Sequence, residues 1–312
     1  MSRVTRWIPR ICITVITFLG VAVSGALCLR ANSYPPPTLP KATQAWRAVT
    51  GQQVLCVAGD QIWNPGTGVV KVLGIEHRNP QTWTIRDEDV LKTWKVSQQV
   101  DTLRTEVAGQ VTEYRRLDSV PADCGFKEVP IGQPQEMPGE RKDAISREIH
   151  ERMIRDEEAG RAGTLGPGSE IIIQNREYLK ALIQELGWID LRRFGHEGSG
   201  NAIILAQHSG ELPLIMAILP FVERDYKGTG EDSVMYAILY DRLQLNLGRK
   251  QRYGTQVKAD SEGHPMVLPL EDASKVEQFR KEIGLPPLAE YLKLASEGLF
   301  SGKSIRMPRD DE

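Results

Sequence analysis

Over roughly the first 130 residues, apolar positions come in short runs rich in β-branched and aromatic side chains. Examples are Gln53-Val54-Leu55-Cys56-Val57, Gly68-Val69-Val70-Lys71-Val72-Leu73 and Thr82-Trp83-Thr84-Ile85, with Asn64-Pro65-Gly66 as a turn between the first two. Such runs, bounded by turn formers, predict strands. One stretch, 90–107, also carries helical spacing through Val90, Leu91, Trp94, Val100 and Leu103, so the region is expected to be β-rich or mixed.

The period changes after residue 139. Ile145, Ile149, Met153 and Ile154 recur at helical intervals in the charged stretch 140–160, which predicts an amphipathic helix. Ser169 is a candidate N-cap for a helix through Ile172, Ile173, Leu179, Leu182, Ile183 and Leu186, stopped by Gly187. Further helices are predicted over 201–207, 212–224, 232–247, 273–283 and 288–296. An extended piece at 253–258 and a turn at 260–265 interrupt them. The glycine-rich stretches 160–168 and 195–200 read as loops.

These patterns predict an α+β protein: a small β-rich or mixed domain over 46–130, then a mainly α-helical bundle over 140–298 and a polar tail over 299–312. Pro130, Pro134 and Pro138 frame a linker at 131–139, because closely spaced prolines prevent a regular element from forming. Ahead of the first domain, Ser33-Tyr34-Pro35-Pro36-Pro37-Thr38-Leu39-Pro40 makes 31–45 an extended spacer.

The first thirty residues form an N-terminal membrane leader. Arg3, Arg6 and Arg10 precede nineteen residues without a charged side chain, from Ile11 to Leu29. Positive charge before an apolar run holds the amino terminus inside and directs the downstream chain outward. That length can span the hydrocarbon as a retained anchor, while Ser24-Gly25-Ala26 offers a signal peptidase its small residues. Both readings stay open. The body is expected outside the cytoplasm, either on a single N-terminal span or secreted or periplasmic after cleavage.

Hydrophobic residues at 40% and charged residues at 26% fit a globular body. Four of the chain's 39 basic residues lie in the leader, which holds no acid, so the rest sets 35 basic against 41 acidic residues. A mildly acidic body excludes nucleic-acid binding by clustered Lys and Arg. Cys12 and Cys28 fall in the leader, leaving Cys56 and Cys124 as a possible disulfide in an oxidising compartment, with two separate buried thiols as the alternative.

His196-Glu197 followed by His208 fails as a zincin motif, which needs its histidines four apart. Neither glycine-rich stretch is a P-loop or a dinucleotide fingerprint, and there is no Gly-x-Ser-x-Gly elbow. No metal and no cofactor is implied. His208 closes an apolar helix after Gln207, where an imidazole can exchange protons or simply cap. Asp241 and Arg242 interrupt an apolar helix and need partners if buried. Tyr253-Gly254-Thr255-Gln256 is a compact polar cluster able to donate protons or read polar groups.

Several of these motifs resemble, in their order and spacing, a bacterial family of unknown function. The similarity rests on Met153 to Asp156, Arg161, Gly187-Trp188, Gln207-His208, Asp241-Arg242, Tyr253-Gly254-Thr255-Gln256, Glu271-Asp272 and Gly284-Leu285-Pro286-Pro287-Leu288 with Tyr291. It covers about 140–295 and implies a mostly helical domain with no assigned activity. Ser209-Gly210 stands where the family has Ala-Asp, removing an acidic neighbour that could orient His208.

Two functions are compatible with these residues. The first is a binding or interaction module for an envelope ligand or protein, with Trp188, Gln207, Thr255 and Gln256 as contacts. The alternative is an envelope hydrolase or transferase with His208 as general base, Asp241 orienting it, and Arg242 with Tyr253 stabilising negative charge.

Overall fold

The computed structural model describes residues 37–65, 72–79, 81–87, 90–164, 168–259 and 265–299. The leader therefore lies outside the described residues, as does most of the polar tail. Among the described residues, no helix is long and apolar enough to cross a membrane.

Eight consecutive antiparallel strands close into a barrel: β1 (Gln44–Ala48), β2 (Val54–Ala58), β3 (Gln61–Trp63), β4 (Val72–Arg78), β5 (Thr82–Asp87), β6 (Val90–Gln98), β7 (Thr102–Val107) and β8 (Gln110–Arg116). Each strand pairs with the next, and β8 returns to β1 with Trp46 opposite Arg116. Closure removes the unpaired sheet edges that an open meander would leave.

Period-2 alternation sorts the barrel's side chains. Trp46, Leu55, Val57, Ile62, Ile75, Trp83, Ile85, Val96 and Leu103 fill the interior. On the opposite faces of β1 to β4, Ala45, Val54, Cys56, Trp63 and Val72 pack with the helical residues in one continuous core. A strand buried on both faces must be apolar at every position, which accounts for the unbroken run in β2.

Residues 90–107 form β6 and β7, so the helical spacing there was misleading. Val100 lies 81% exposed in the turn between them while Leu103 is fully buried. Apart from Val100, the apolar positions that look helical in sequence thus belong to two strands, with Trp94 opposite Trp83 across β5 and β6. Cross-strand aromatic pairs of this kind stabilise a sheet.

The helical half comprises α1 (Gly139–Arg161), α2 (Glu170–Leu186), α3 (Leu191–Ser209), α4 (Leu212–Tyr226), α5 (Ser233–Asn246), α6 (Val276–Glu282) and α7 (Leu288–Leu299). A hairpin of β9 (Val257–Ala259) and β10 (Pro265–Val267) is inserted before α6. The chain is thus α+β, a barrel followed by helices. Ser169 does occupy the N-cap of α2, but its hydroxyl caps nothing.

Residues 195–200, expected as a loop, lie within α3, which begins ten residues earlier than its predicted start. Asp190 caps it by accepting from Arg193 N at 3.0 Å. Gly195 absorbs the kink at φ 66°, a backbone conformation that glycine adopts without steric cost.

Several contacts join the two halves. Gln61 Nε2 donates to Leu247 O at 2.8 Å. A Cβ on Gly74 would stand 2.1 Å from Gly248 O, so the barrel wall and the turn after α5 touch backbone to backbone. Cys56 and Cys124 form a buried disulfide with Cα atoms 5.7 Å apart. It pins the barrel's exit segment to β2, and Trp63 Nε1 donates to Cys124 O beside it at 3.1 Å.

The proline-framed segment 131–139 then runs along α2, with Gly132 N donating to Ile183 O at 3.0 Å. Arg193 binds it through Gln135 O at 3.2 Å, and also donates to Leu186 O at 2.9 Å and to Trp188 O. Burial pushes the Asp190 carboxyl up, but the hydrogen bonds and charge of Arg193 outweigh that and hold it below the usual carboxylate value.

Candidate functional site

Three helices converge on His208. Glu148, Arg152 and Asp156 recur every fourth residue along α1, so they form one stripe. That stripe meets Asn175 and Tyr178 of α2 and the last turn of α3. Asp156 is fully buried, and its Oδ1 is hydrogen-bonded to Nδ1 of His208. The His208 side chain keeps 30% of its surface, and among the described residues its ring makes no other hydrogen bond.

Asn175 Nδ2 donates to Asp156 Oδ2 at 3.4 Å, and Asn175 Oδ1 accepts from Arg152 Nη1 at 3.4 Å. Arg152 pairs with Glu148 at 2.7 Å and stacks 4.0 Å over the Tyr178 ring. Burial, and then the Glu148 charge, raise the Tyr178 phenol above its ordinary value. The result is a line of polar groups that runs from the partly exposed Glu148–Arg152 pair through buried Asn175 and Asp156 to one half-exposed imidazole.

A second polar centre forms around Asp241 on α5. Its carboxylate is wholly buried and accepts from Arg252 N at 2.8 Å, Tyr253 N at 3.0 Å, Thr255 N at 2.9 Å and Thr255 Oγ1 at 2.8 Å. Burial pushes this carboxyl up, and the hydrogen bonds oppose the shift. Gln251 closes the same loop, accepting from Gln256 N and donating to Gln256 O and Leu268 O. Arg280, buried on α6, donates to Tyr253 O at 2.5 Å and Pro286 O at 2.8 Å. Four donors on one buried carboxylate fix a loop of otherwise irregular backbone.

The two centres touch through amides. Gln207, the neighbour of His208, donates from Nε2 to Gln256 Oε1 at 3.4 Å, and Gln256 Nε2 donates to Ile238 O and Thr255 Oγ1 at 3.2 Å each.

A family model described as Family of unknown function (DUF6624) matches residues 138–302, just over half of the chain. The chain belongs to the DUF6624 family. No curated protein and no solved structure matches it. The DUF6624 region contains both polar centres and the whole of α1 to α7, while the barrel lies outside it.

The residues expected to work together are thus divided. Within the DUF6624 region, Gln207, Thr255 and Gln256 are brought into one cluster. His208 is paired with Asp156, whereas Asp241 has its acceptor sites filled by the 252–255 loop and does not orient His208. Tyr253 is buried, its ring 6.1 Å from Tyr236 and 5.5 Å from Tyr240, and burial raises its phenol. Trp188 is 1% exposed and belongs to the core instead of lining a groove. Arg242 lies half-buried on α5 beside Asp241.

His196 and His208 stand twelve residues apart on α3, about 18 Å along the axis, and have different partners, Asp232 and Asp156. Among the described residues, no group of three His, Cys, Asp or Glu side chains could hold a metal ion.

Sequence patterns alone did not mark Asp156, Asn175, Arg193, Gln251 and Arg280 as structural or site residues. A signal existed for Asp156: it ends the Glu148, Arg152, Asp156 row and lies in a stretch singled out by its resemblance. Asn175 carried no such mark.

Proposed function

We propose that this protein is an extracytoplasmic hydrolase or transferase in which His208 acts as general base and Asp156 orients it. The observation that carries the reading is a fully buried carboxylate whose hydrogen-bonded imidazole keeps an exposed edge. Burying a carboxylate is costly, and a purely structural partner would gain from being buried with it. With Nδ1 bound to Asp156, Nε2 is the atom left to take a proton from water or a substrate hydroxyl. The buried carboxylate then stabilises the imidazolium that forms. Gln207, one residue away, is buried and donates to Gln256 Oε1, which ties the end of the His208 helix to the 253–256 loop.

The location outside the cytoplasm rests on the Arg-flanked apolar leader and on the buried Cys56–Cys124 pair, since such bridges persist in oxidising compartments. A second reading is a binding module of the envelope, in which the exposed edge of His208 is a polar contact for the ligand.

The full chain and its His208→Gln variant separate the two. Gln retains a donor toward Asp156 but cannot act as a base. Turnover of chromogenic ester, peptide, glycoside and phosphodiester substrates is expected to fall by about 10²- to 10⁴-fold in the variant. Equal rates for both proteins across the panel would remove the catalytic reading and leave binding.

A further inference from the structure

We infer that Asn175, with its amide oriented by Arg152, is the positioning residue that fixes which nitrogen of His208 carries the proton. The inference rests on the proposed use of His208 but makes a separate claim, about direction along the hydrogen-bonded line.

An asparagine amide has one accepting end and one donating end, and either could face a neighbour. A guanidinium has only donors. Arg152 therefore requires Asn175 Oδ1 to face it, as observed at 3.4 Å, and Nδ2 must face Asp156. An amide hydrogen donated to Oδ2 uses Asp156 as an acceptor, and a carboxylate can only accept. Asp156 must then accept from His208 as well. His208 Nδ1 donates, and the lone pair falls on Nε2 at the half-exposed edge.

Two further features hold the start of the line. Glu148 pairs with Arg152 at 2.7 Å, and Tyr178 supports its guanidinium face at 4.0 Å. Asn175 itself is 4% exposed in the middle of α2. A polar side chain there has no solvent to satisfy it, so its partners determine its orientation.

The test is the tautomer of His208, read from the ring ¹⁵N shifts of histidine-labelled full-length protein over a pH series, on the neutral form. The His208→Gln variant assigns the signal among the five histidines. Wild type is expected to show a protonated Nδ1 and an unprotonated Nε2. Asn175→Leu, which removes the donor, and Arg152→Gln, which can donate or accept, are each expected to mix the tautomers. Arg152→Lys, still only a donor, is expected to restore the wild-type pattern.

An unchanged pattern in Asn175→Leu overturns the inference. If that variant does not fold, an unchanged pattern in Arg152→Gln does the same, because Arg152 lies near the surface end of the line. Tautomer mixing without any His208-dependent turnover would refute the proposed reaction and leave the positioning role intact. His208-dependent turnover with a fixed tautomer in the variants would do the reverse.

Discussion

Strands β1 to β8 enclose an interior of Trp46, Leu55, Ile62, Trp83, Ile85 and Leu103, and Arg86 and Thr105 are the only described buried polar side chains in the barrel. The helical half instead buries Asp156, Asn175, Asp190, Arg193, Gln207, Asp241, Gln251, Thr255, Gln256 and Arg280. A barrel satisfies its backbone by pairing each strand with its neighbour, so its side chains need only fill space. Helix ends and the irregular loops that join them leave backbone groups without a ladder partner, and buried side chains must supply one. The half with more buried polar groups also holds the half-exposed imidazole.

The contrast predicts unequal costs for deleting atoms in the two halves. Asp241→Ala would strand the Arg252, Tyr253 and Thr255 amides, and the expected loss is about 3 to 5 kcal/mol in urea unfolding. In the barrel, Ile85→Val removes one methylene from a fully buried site and is expected to cost about 0.5 to 1.5 kcal/mol. If Ile85→Val proved the more damaging of the two, the distinction between a space-filling barrel and a polar-tied helical half would fail.

The smallest effect belongs to an exposed group. Asp272 is held at about 2 by hydrogen bonds first from Ser274 and then from Lys275. Its folded value lies below the unfolded one, so its contribution is present above the ordinary carboxylate range and disappears as pH falls toward about 2. Asp272→Asn is expected to lower the urea midpoint slightly near pH 5 and by clearly less near pH 2. A difference that persisted equally at both would assign the effect to something other than the charge.

How much of the fold and site was legible depended on the range of the interactions. The 140–160 helix and the helices around 212–224 and 232–247 could be read because their apolar stripes and flanking glycines are local. The strand runs of β2 and β5 were equally plain, whereas the run at 68–73 meets β4 only at Val72 and Leu73. The 90–107 segment misled, since its spacing fits a helix until the turn at Val100 places the two ends in separate strands. Residues 195–200 misled because glycine content suggested a loop, while one kink at Gly195 was all the backbone required. Gln207, His208, Asp241 and the 253–256 cluster stood out as polar types in apolar surroundings, but nothing in their spacing indicated which would pair.

The sequence by itself determined the change from period 2 to period 3.6, most of the helix positions, the presence of unusual polar residues and the membership of a family. It did so because propensity and periodicity act over a few residues. Only the tertiary structure decided that eight strands close into a barrel and that Asp156, from a helix 52 residues earlier in the chain, meets His208. It also decided that Asp241 serves a loop instead. A buried carboxylate takes whichever donors the packing brings within reach, and that choice is made by helices crossing in space, at separations local patterns do not encode.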